Sequence, residues 1–87
     1  MLTLAASLTN RNATQTLQEG LARLAQGDLT VDCGPLTQVD SAAIAVLLGW
    51  QRAAQAQGRQ LLLQRPPAQL LSLATVYGVA ELLGLPH

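Results

Sequence analysis

The sequence predicts an α/β fold, in which a mixed and largely parallel sheet is flanked by helices. Two segments with the two-residue period of strands and one short continuous apolar run alternate with three segments with the 3.6-residue period of helices. Glycine, proline or asparagine separates successive segments. Parallel strands joined by right-handed helical crossovers are the economical solution for this order. We expect the 87 residues to form one domain, residues 1–87.

The first strand is predicted over residues 2–8, where apolar residues alternate with smaller or polar ones. A helix over residues 13–26 follows. Asn12 is its expected N-cap, and Gln15 stands where a capping box reaches back to the cap. Gly27 is expected to end this helix.

A second strand is predicted over residues 29–33, where apolar residues alternate with acidic and hydroxyl residues. A glycine and a proline close it. The next helix is predicted over residues 42–57. Asp40 and Ser41 are both good N-caps for it, because a short side-chain oxygen can accept a hydrogen bond from a first-turn amide.

The rest of the chain repeats this order. Gly58 is expected to end the second helix, and a strand over residues 60–64 follows. Its three consecutive leucines are typical of a strand buried on both faces. Two prolines then start a helix over residues 67–77, which Gly78 is expected to end, and a last turn is predicted at residues 80–83.

The helix over residues 42–57 has almost no polar residue in its first two turns, so it needs two apolar neighbours. The stripe expected to pack on the sheet comprises Ile44, Leu47 and Leu48. The second stripe, expected to be left for a partner, comprises Ala43, Val46 and Trp50. Trp50 fits two interpretations, a core residue or an anchor of an interface.

The composition excludes several classes of function. Five arginines, no lysine and five acidic residues give zero formal net charge, so a phosphate-tracking nucleic-acid surface is not expected. The single Cys33 cannot form an internal disulfide, and the N-terminus lacks the pattern of a signal peptide, so we expect a cytoplasmic protein. The longest apolar run, residues 42–50, is far shorter than the ~20 residues of a membrane-spanning helix.

Candidate catalytic and cofactor sites are missing from the sequence pattern. His87 is the single histidine and the last residue, and no metal-ligand spacing is present. The glycines stand singly and lysine is absent, which excludes a Walker-type phosphate loop. Ser41 follows Asp40 but has no plausible base histidine. We therefore expect no catalytic residue, no metal, no cofactor and no enzymatic activity.

Three polar residues have structural interpretations. Ser41 is most simply an N-cap, although a hydroxyl beside a loop is also a candidate for phosphorylation. The helix dipole would favour the added charge and Asp40 would oppose it. Asp32 is expected to cap a strand end that faces solvent, and Tyr77 to lie in the core with its hydroxyl at the rim.

With this element order established, the chain resembles a STAS domain, the fold shared by anti-sigma-factor antagonists and the cytoplasmic tails of sulfate transporters. The resemblance rests on Val31-Asp32-Cys33, Val39-Asp40-Ser41-Ala42-Ala43-Ile44, Leu47-Leu48 and Leu61-Leu62-Leu63. Within the family, it is most similar to the small STAS subunits of bacterial phospholipid-transport ABC complexes. That similarity rests on the short length, Ala45-Val46-Leu47-Leu48 and Leu73-Ala74-Thr75-Val76-Tyr77-Gly78-Val79.

Two features depart from the family pattern. STAS domains usually have an additional N-terminal strand, so we expect either that the first edge strand is absent or that the sequence begins after it. Family members commonly carry glycine after the hydroxyl residue, where this chain has Ala42 and Ala43. The extra methyl groups would narrow the access of a kinase to Ser41.

The resemblance implies a non-enzymatic cytoplasmic subunit, peripheral to the inner membrane through its complex. It would bind and support the ATPase of a phospholipid-transport ABC complex involved in outer-membrane lipid asymmetry. The expected partner-binding residues are Asp40, Ser41, Ala42, Ala43, Val46 and Trp50. The alternative is an anti-sigma-factor antagonist that a partner kinase switches off by phosphorylating Ser41. A small ligand-binding or catalytic domain is least favoured, because the sequence lacks convergent polar groups for a pocket.

Overall fold

The computed structural model describes residues 1–28 and 30–85, which contain three helices and five short strands. The helices are α1 (Ala13–Ala25), α2 (Ser41–Ala56) and α3 (Ala68–Val76). The strands are β1 (Leu2–Thr3), β2 (Ser7–Leu8), β3 (Thr30–Asp32), β4 (Gln38–Val39) and β5 (Leu62–Gln64). The predicted α/β class is confirmed, and each predicted helix agrees to within one residue at both ends. Leu29, predicted in the second strand, and His87 lie outside the described residues.

The predicted helix ends are also confirmed. Gly27, Gly58 and Gly78 follow the three helices with φ of +88°, +70° and +70°. Glycine reaches this left-handed region without the steric cost that a Cβ atom brings. The last described residues form the turn that the sequence predicts after α3.

All strand pairs in the described part of the chain are parallel, and they form two sheets. The larger sheet has the order β1-β3-β5, so β1 lies at one edge, and the smaller sheet pairs β2 with β4. Leu2 pairs with Val31 in the larger sheet, and Leu8 pairs with Val39 in the smaller one. This parallel pairing agrees with the predicted helical crossovers, because parallel strands need a long connection and a helix usually forms it.

The predicted strand over residues 2–8 is wrong in one respect, because a bend divides it into β1 and β2. Between the two ladders lie three residues, 4–6, on one chain segment and five, 33–37, on the other. The two surplus residues cannot pair, so the ladder is interrupted. The amides of Thr37 and Gln38 both donate to the carbonyl oxygen of Ala6, at 2.7 and 3.0 Å, and resume the pairing.

The larger sheet has one covered face and one open face. Val31 is buried on the covered face, and its register partners Leu2 and Leu63 pack against the core. Leu62 lies on the opposite face and is 55% exposed, so the prediction of a strand buried on both faces is wrong. The helices cover only the side to which Val31 points.

Helix α2 lies at the centre of the core. The sheet covers one side of α2, and α1 covers the other side. Trp50 is fully buried, and its indole N–H donates to the carbonyl oxygen of Leu17 in α1 at 3.0 Å. A Cβ atom on Gly20 would lie 2.0 Å from Cε2 of this indole, so the two helices approach through a glycine. The largest fully buried side chains are Trp50, Leu8, Leu47, Leu70, Leu83 and Cys33.

The side chain of Gln51 connects α2 to the segments at Leu61 and Leu82. The sequence does not predict this connection. Gln51 is buried on α2. Its Oε1 accepts from the amide of Leu61 at 3.1 Å, and its Nε2 donates to the carbonyl oxygen of Leu82 at 3.1 Å. Both polar atoms are thereby satisfied, as a buried amide requires.

Asp32 caps the end of β3, but it does not face solvent as the sequence predicts, because its carboxylate forms an ion pair. Its carboxylate is 8% exposed. Arg65 donates from Nε to Oδ1 at 3.0 Å and from Nη2 to Oδ2 at 2.5 Å. The amide of Gly34 also donates to Oδ1, at 2.9 Å. The Arg65 guanidinium, followed by the Gly34 amide, holds the pKa of Asp32 below its ordinary value.

The first prediction concerns pH. Because the folded state lowers the pKa of Asp32, its ionised form contributes stability above an unfolded pKa of about 4. That contribution is lost as the pH falls through the folded pKa. Urea unfolding between roughly pH 3 and pH 6 should show this loss, and Asp32→Asn should reduce the slope. An Asn variant with the full slope of the natural chain would contradict it.

The second prediction concerns the contact between α1 and α2. Gly20→Ala should lower the free energy of unfolding by about 2 kcal/mol or more, because the new methyl group overlaps the Trp50 indole. Gly49→Ala is the control, since its Cβ would meet only the terminal Cδ1 of Leu17, at 3.0 Å. Urea unfolding of both variants is the measurement. Equal stabilities would mean that Gly20 is not a close-contact position.

Candidate functional site

Asp40 occupies the junction between β4 and α2. Its backbone is extended, with φ −134° and ψ −170°, and its Oδ1 accepts from the amide of Ala42 at 2.8 Å. Asp40 is therefore the N-cap of α2, as one of the two sequence interpretations has it. The other interpretation is wrong, because Ser41 is the first helical residue and does not cap the helix.

The second oxygen of Asp40 connects α2 to the loop that follows β2. Oδ2 accepts from the amide of Asn10 at 3.0 Å. Within that loop, Asn12 Oδ1 accepts from the amide of Thr9, and Asn12 Nδ2 donates to the carbonyl oxygen of Ser7. The predicted side-chain cap by Asn12 on α1 is therefore wrong, because this side chain folds back onto the loop. Gln15 likewise contacts Glu19 instead of completing a capping box.

Ser41 and Ala42 form the accessible part of the predicted site. Ser41 is exposed, and its hydroxyl has no hydrogen-bond partner among the described residues. Ala42 is half-buried beside it. Both oxygens of the neighbouring Asp40 carboxylate are engaged by backbone amides. This carboxylate is therefore held as a structural acceptor and is not aimed at the serine hydroxyl.

The second stripe of α2 is not an unpartnered face. Ala43, Val46 and Trp50 are at most 3% exposed, and Trp50 contacts α1. The expectation that α2 leaves this stripe for a partner is wrong, because α1 supplies the second apolar neighbour that α2 requires. The structure thus brings Asp40, Ser41 and Ala42 together at the surface and places the other three residues in the core.

An open cleft of about 670 Å³ lies beside Asp40. The β2–β4 pairing forms it by bringing the loop after β2 next to the start of α2. Its lining residues are Ser7, Thr9, Asn10, Arg11, Asn12, Thr37, Gln38, Val39, Asp40 and Gln69. A second hollow of about 400 Å³ shares Val39 and Gln69 with it and continues along α3. The two hollows form one groove, polar near Arg11 and more apolar along α3.

Three residues of the groove carry no functional signal in the sequence. Asn10, Arg11 and Gln69 are exposed and reach the groove from two separate elements. The polar run at residues 10–12 predicts only a turn. No sequence pattern around Gln69 indicates a functional role for it. Their convergence depends on long-range pairing, which a single sequence does not specify.

The described residues offer little reactive or metal-binding chemistry outside the groove. Burial raises the pKa of the Cys33 thiol to about 11, so this thiol stays protonated and does not act as a nucleophile at neutral pH. Within residues 1–28 and 30–85, histidine, cysteine and carboxylate side chains form no cluster that could hold a metal ion. None of the helices in this part of the chain is long and apolar enough to cross a membrane.

Two large apolar or aromatic side chains are exposed at the C-terminal end of α3. Val76 is 79% exposed and Tyr77 is 53% exposed. The prediction that Tyr77 lies in the core is therefore wrong. Tyr77 directly follows the last residue of α3, where Leu70 and Ala74 supply the buried contacts.

These parallel strands, their crossover helices and the Asp40-capped start of α2 define a STAS domain. The family model described as "Mlab, STAS domain" matches residues 1–84, and the chain belongs to this family. No individual curated protein matches the sequence significantly.

The third prediction separates the two candidate caps. Asp40→Ala should lower the free energy of unfolding by about 1 kcal/mol, because α2 loses its cap. Ser41→Ala should change it by less than about 0.5 kcal/mol, as expected for an exposed position without a hydrogen bond. Thermal or urea unfolding measures both. A larger loss in the Ser41 variant would contradict the assignment of Asp40 as the cap.

Proposed function

We propose that this chain is a non-enzymatic subunit that binds and supports the ATPase of an Mla-type phospholipid-transport ABC complex. The observation that carries the proposal is the match of residues 1–84 to the "Mlab, STAS domain" family. The chain would act on the cytoplasmic side of the inner membrane, held there by the complex, and contribute to outer-membrane lipid asymmetry. The ATPase would supply the energy for transport.

The start of α2 and the adjoining groove are the surface that we assign to this partner. Ser41 is exposed beside Ala42, and Asp40 fixes both against the loop that carries Asn10. The groove offers polar groups at Arg11 and apolar ones at Leu73. Protein interfaces commonly combine an apolar centre with a polar rim, and this surface offers both.

The site supports binding better than catalysis. Ser41 would need a base to become a nucleophile, and the carboxylate beside it is occupied by the amides of Asn10 and Ala42. The Cys33 thiol is buried and protonated. Many polar groups that line the groove, including those of Asn12 and Thr37, bond to the chain's own backbone. Few are left to orient a small substrate.

The alternative function is that of an anti-sigma-factor antagonist regulated by phosphorylation of Ser41. One observation favours it: the Ser41 hydroxyl is exposed in the first turn of α2 and makes no hydrogen bond within the described residues. The positive end of the helix dipole stabilises a phosphate there, and the Asp40 carboxylate opposes it. Both functions use the same surface, so their experiments must separate them.

The fourth prediction tests the surface. Ser41→Asp should weaken binding to the ATPase of the same organism about tenfold, because it places a second carboxylate beside Asp40 at the rim of the contact. The folded chain should tolerate the change, since Ser41 is exposed. Titration calorimetry of purified proteins measures the affinity, and thermal unfolding checks the fold.

The matched control for this experiment is Thr14→Asp. Thr14 is also an exposed hydroxyl residue in the first turn of a helix, and it does not line the groove. This variant should bind like the natural chain. Unchanged binding by the Ser41 variant would remove Ser41 from the interface. Loss of binding by both variants would indicate a general effect of charge.

Mass spectrometry of the protein from growing cells separates the two functions. A lipid-transport subunit should be found without stoichiometric phosphate on Ser41, and its Asp variant should impair outer-membrane lipid homeostasis with no kinase involved. Stoichiometric phosphorylation of Ser41, together with release of an anti-sigma kinase, would overturn the proposed function in favour of the alternative.

A further inference from the structure

We propose that Asp32, Gly34 and Arg65 form a latch that fixes the first turn of α3 and, with it, the Gln69 side of the groove. Arg65 is thereby a positioning residue for the candidate binding surface. The role of the latch in holding α3 is independent of any partner. Its role in binding rests on the proposed function.

The ion pair needs a glycine beneath it. A Cβ atom on Gly34 would lie 2.5 Å from Cζ of Arg65 and 2.6 Å from its Nη2. The guanidinium therefore lies directly against the backbone of Gly34, whose amide bonds to the same Asp32 oxygen as Arg65 Nε. The bidentate contact fixes both the position and the plane of the guanidinium.

The backbone of Arg65 is in an unusual conformation. Its φ is +53°, and it is the one non-glycine residue with positive φ in the described part of the chain. Glycine or asparagine is the usual residue at such a position. The ring of Pro66 further restricts the backbone of the residue before it. Such a conformation persists where its surroundings over-determine it, and the contact with Asp32 provides that constraint.

The connection from Arg65 to α3 is short and stiff. Pro66 and Pro67 separate Arg65 from Ala68, the first residue of α3. Each proline ring fixes φ, and Pro67 has φ −73°. The direction in which the chain leaves Arg65 therefore sets the place of the first turn of α3. Gln69 in this turn lines both hollows of the groove.

Amide hydrogen exchange of the full 87-residue chain tests the latch. Arg65→Gly accommodates the left-handed backbone and removes the guanidinium contact, at the cost of greater backbone freedom, whereas Gly34→Ala keeps both charges and the Arg65 backbone and displaces the guanidinium. In each variant, the amide of Leu71, which donates to the carbonyl oxygen of Pro67, should exchange about tenfold faster relative to that of Leu47 in α2. The control Arg52→Ala removes an exposed arginine of α2 and should change neither amide.

The ratio of the two exchange rates separates a local effect from a global one. A uniform increase at both amides would mean that the ion pair only stabilises the whole fold, and this would overturn the latch. No increase in either variant would overturn it as well. If Arg65→Gly does not fold, Gly34→Ala and Arg65→Lys provide the same comparison, because Lys keeps the charge but loses the bidentate contact.

Affinity for the ATPase then tests the positioning role. Arg65→Gly and Gly34→Ala should each weaken binding about tenfold, at a temperature where both variants are folded. Faster exchange at Leu71 with unchanged affinity would overturn the positioning role of Arg65. Failure of the natural chain to bind any ATPase would overturn the proposed function instead, and the exchange rates would still decide whether the latch exists.

Discussion

The contact between the Trp50 indole and Gly20 determines how the rest of this molecule is arranged. Helix α2 is apolar on two sides, and the sheet can cover only one of them. Helix α1 covers the other because Gly20 leaves room for the indole ring, and the Leu17 carbonyl oxygen accepts its N–H. With both sides buried, the N-terminal end of α2 remains at the surface. The surface that we propose for the partner therefore lies at a helix end and not along a helix face.

The helices could be predicted from the sequence because the signals that delimit them are local. Asp40 accepts from an amide two residues away, and Gly27 and Gly58 end their helices with positive φ. The strands depend on partners that are distant in the sequence. For this reason the predicted continuous strand over residues 2–8 and the predicted burial of the last strand on both faces are wrong. The interruption between β1 and β2 arises from surplus residues some thirty positions later in the chain. Residues 38–39 resemble a loop until β2 pairs with them.

The candidate site shows the same division. Asp40 and Ser41 were found because an acidic residue and a hydroxyl residue before an apolar run are a local signal for a helix start. The sequence allows two interpretations of Trp50, a core residue or an interface anchor. Periodicity shows that a helix has two apolar sides, but it does not show which element covers each side. The choice of α1 depends on Gly20, thirty positions earlier in the chain. Arg11 and Gln69 line the same groove only because of the tertiary structure, so their spacing in the sequence does not predict that they lie near each other.

The bend that divides the strands also has a consequence for how this chain can vary. Residues two apart in a strand face the same way, but residues 33–37 include a turn at Gly34 and Pro35, so this alternation is not carried from one ladder to the other. On the first chain segment, Leu4 in the bend and Leu8 in β2 are buried, and on the second, Val31 in β3 is buried and Val39 in β4 is half-buried. The inward orientation of Leu8 and Val39 is set by their own pairing in the smaller sheet. A change of length in this bend therefore need not turn either side chain away from the core.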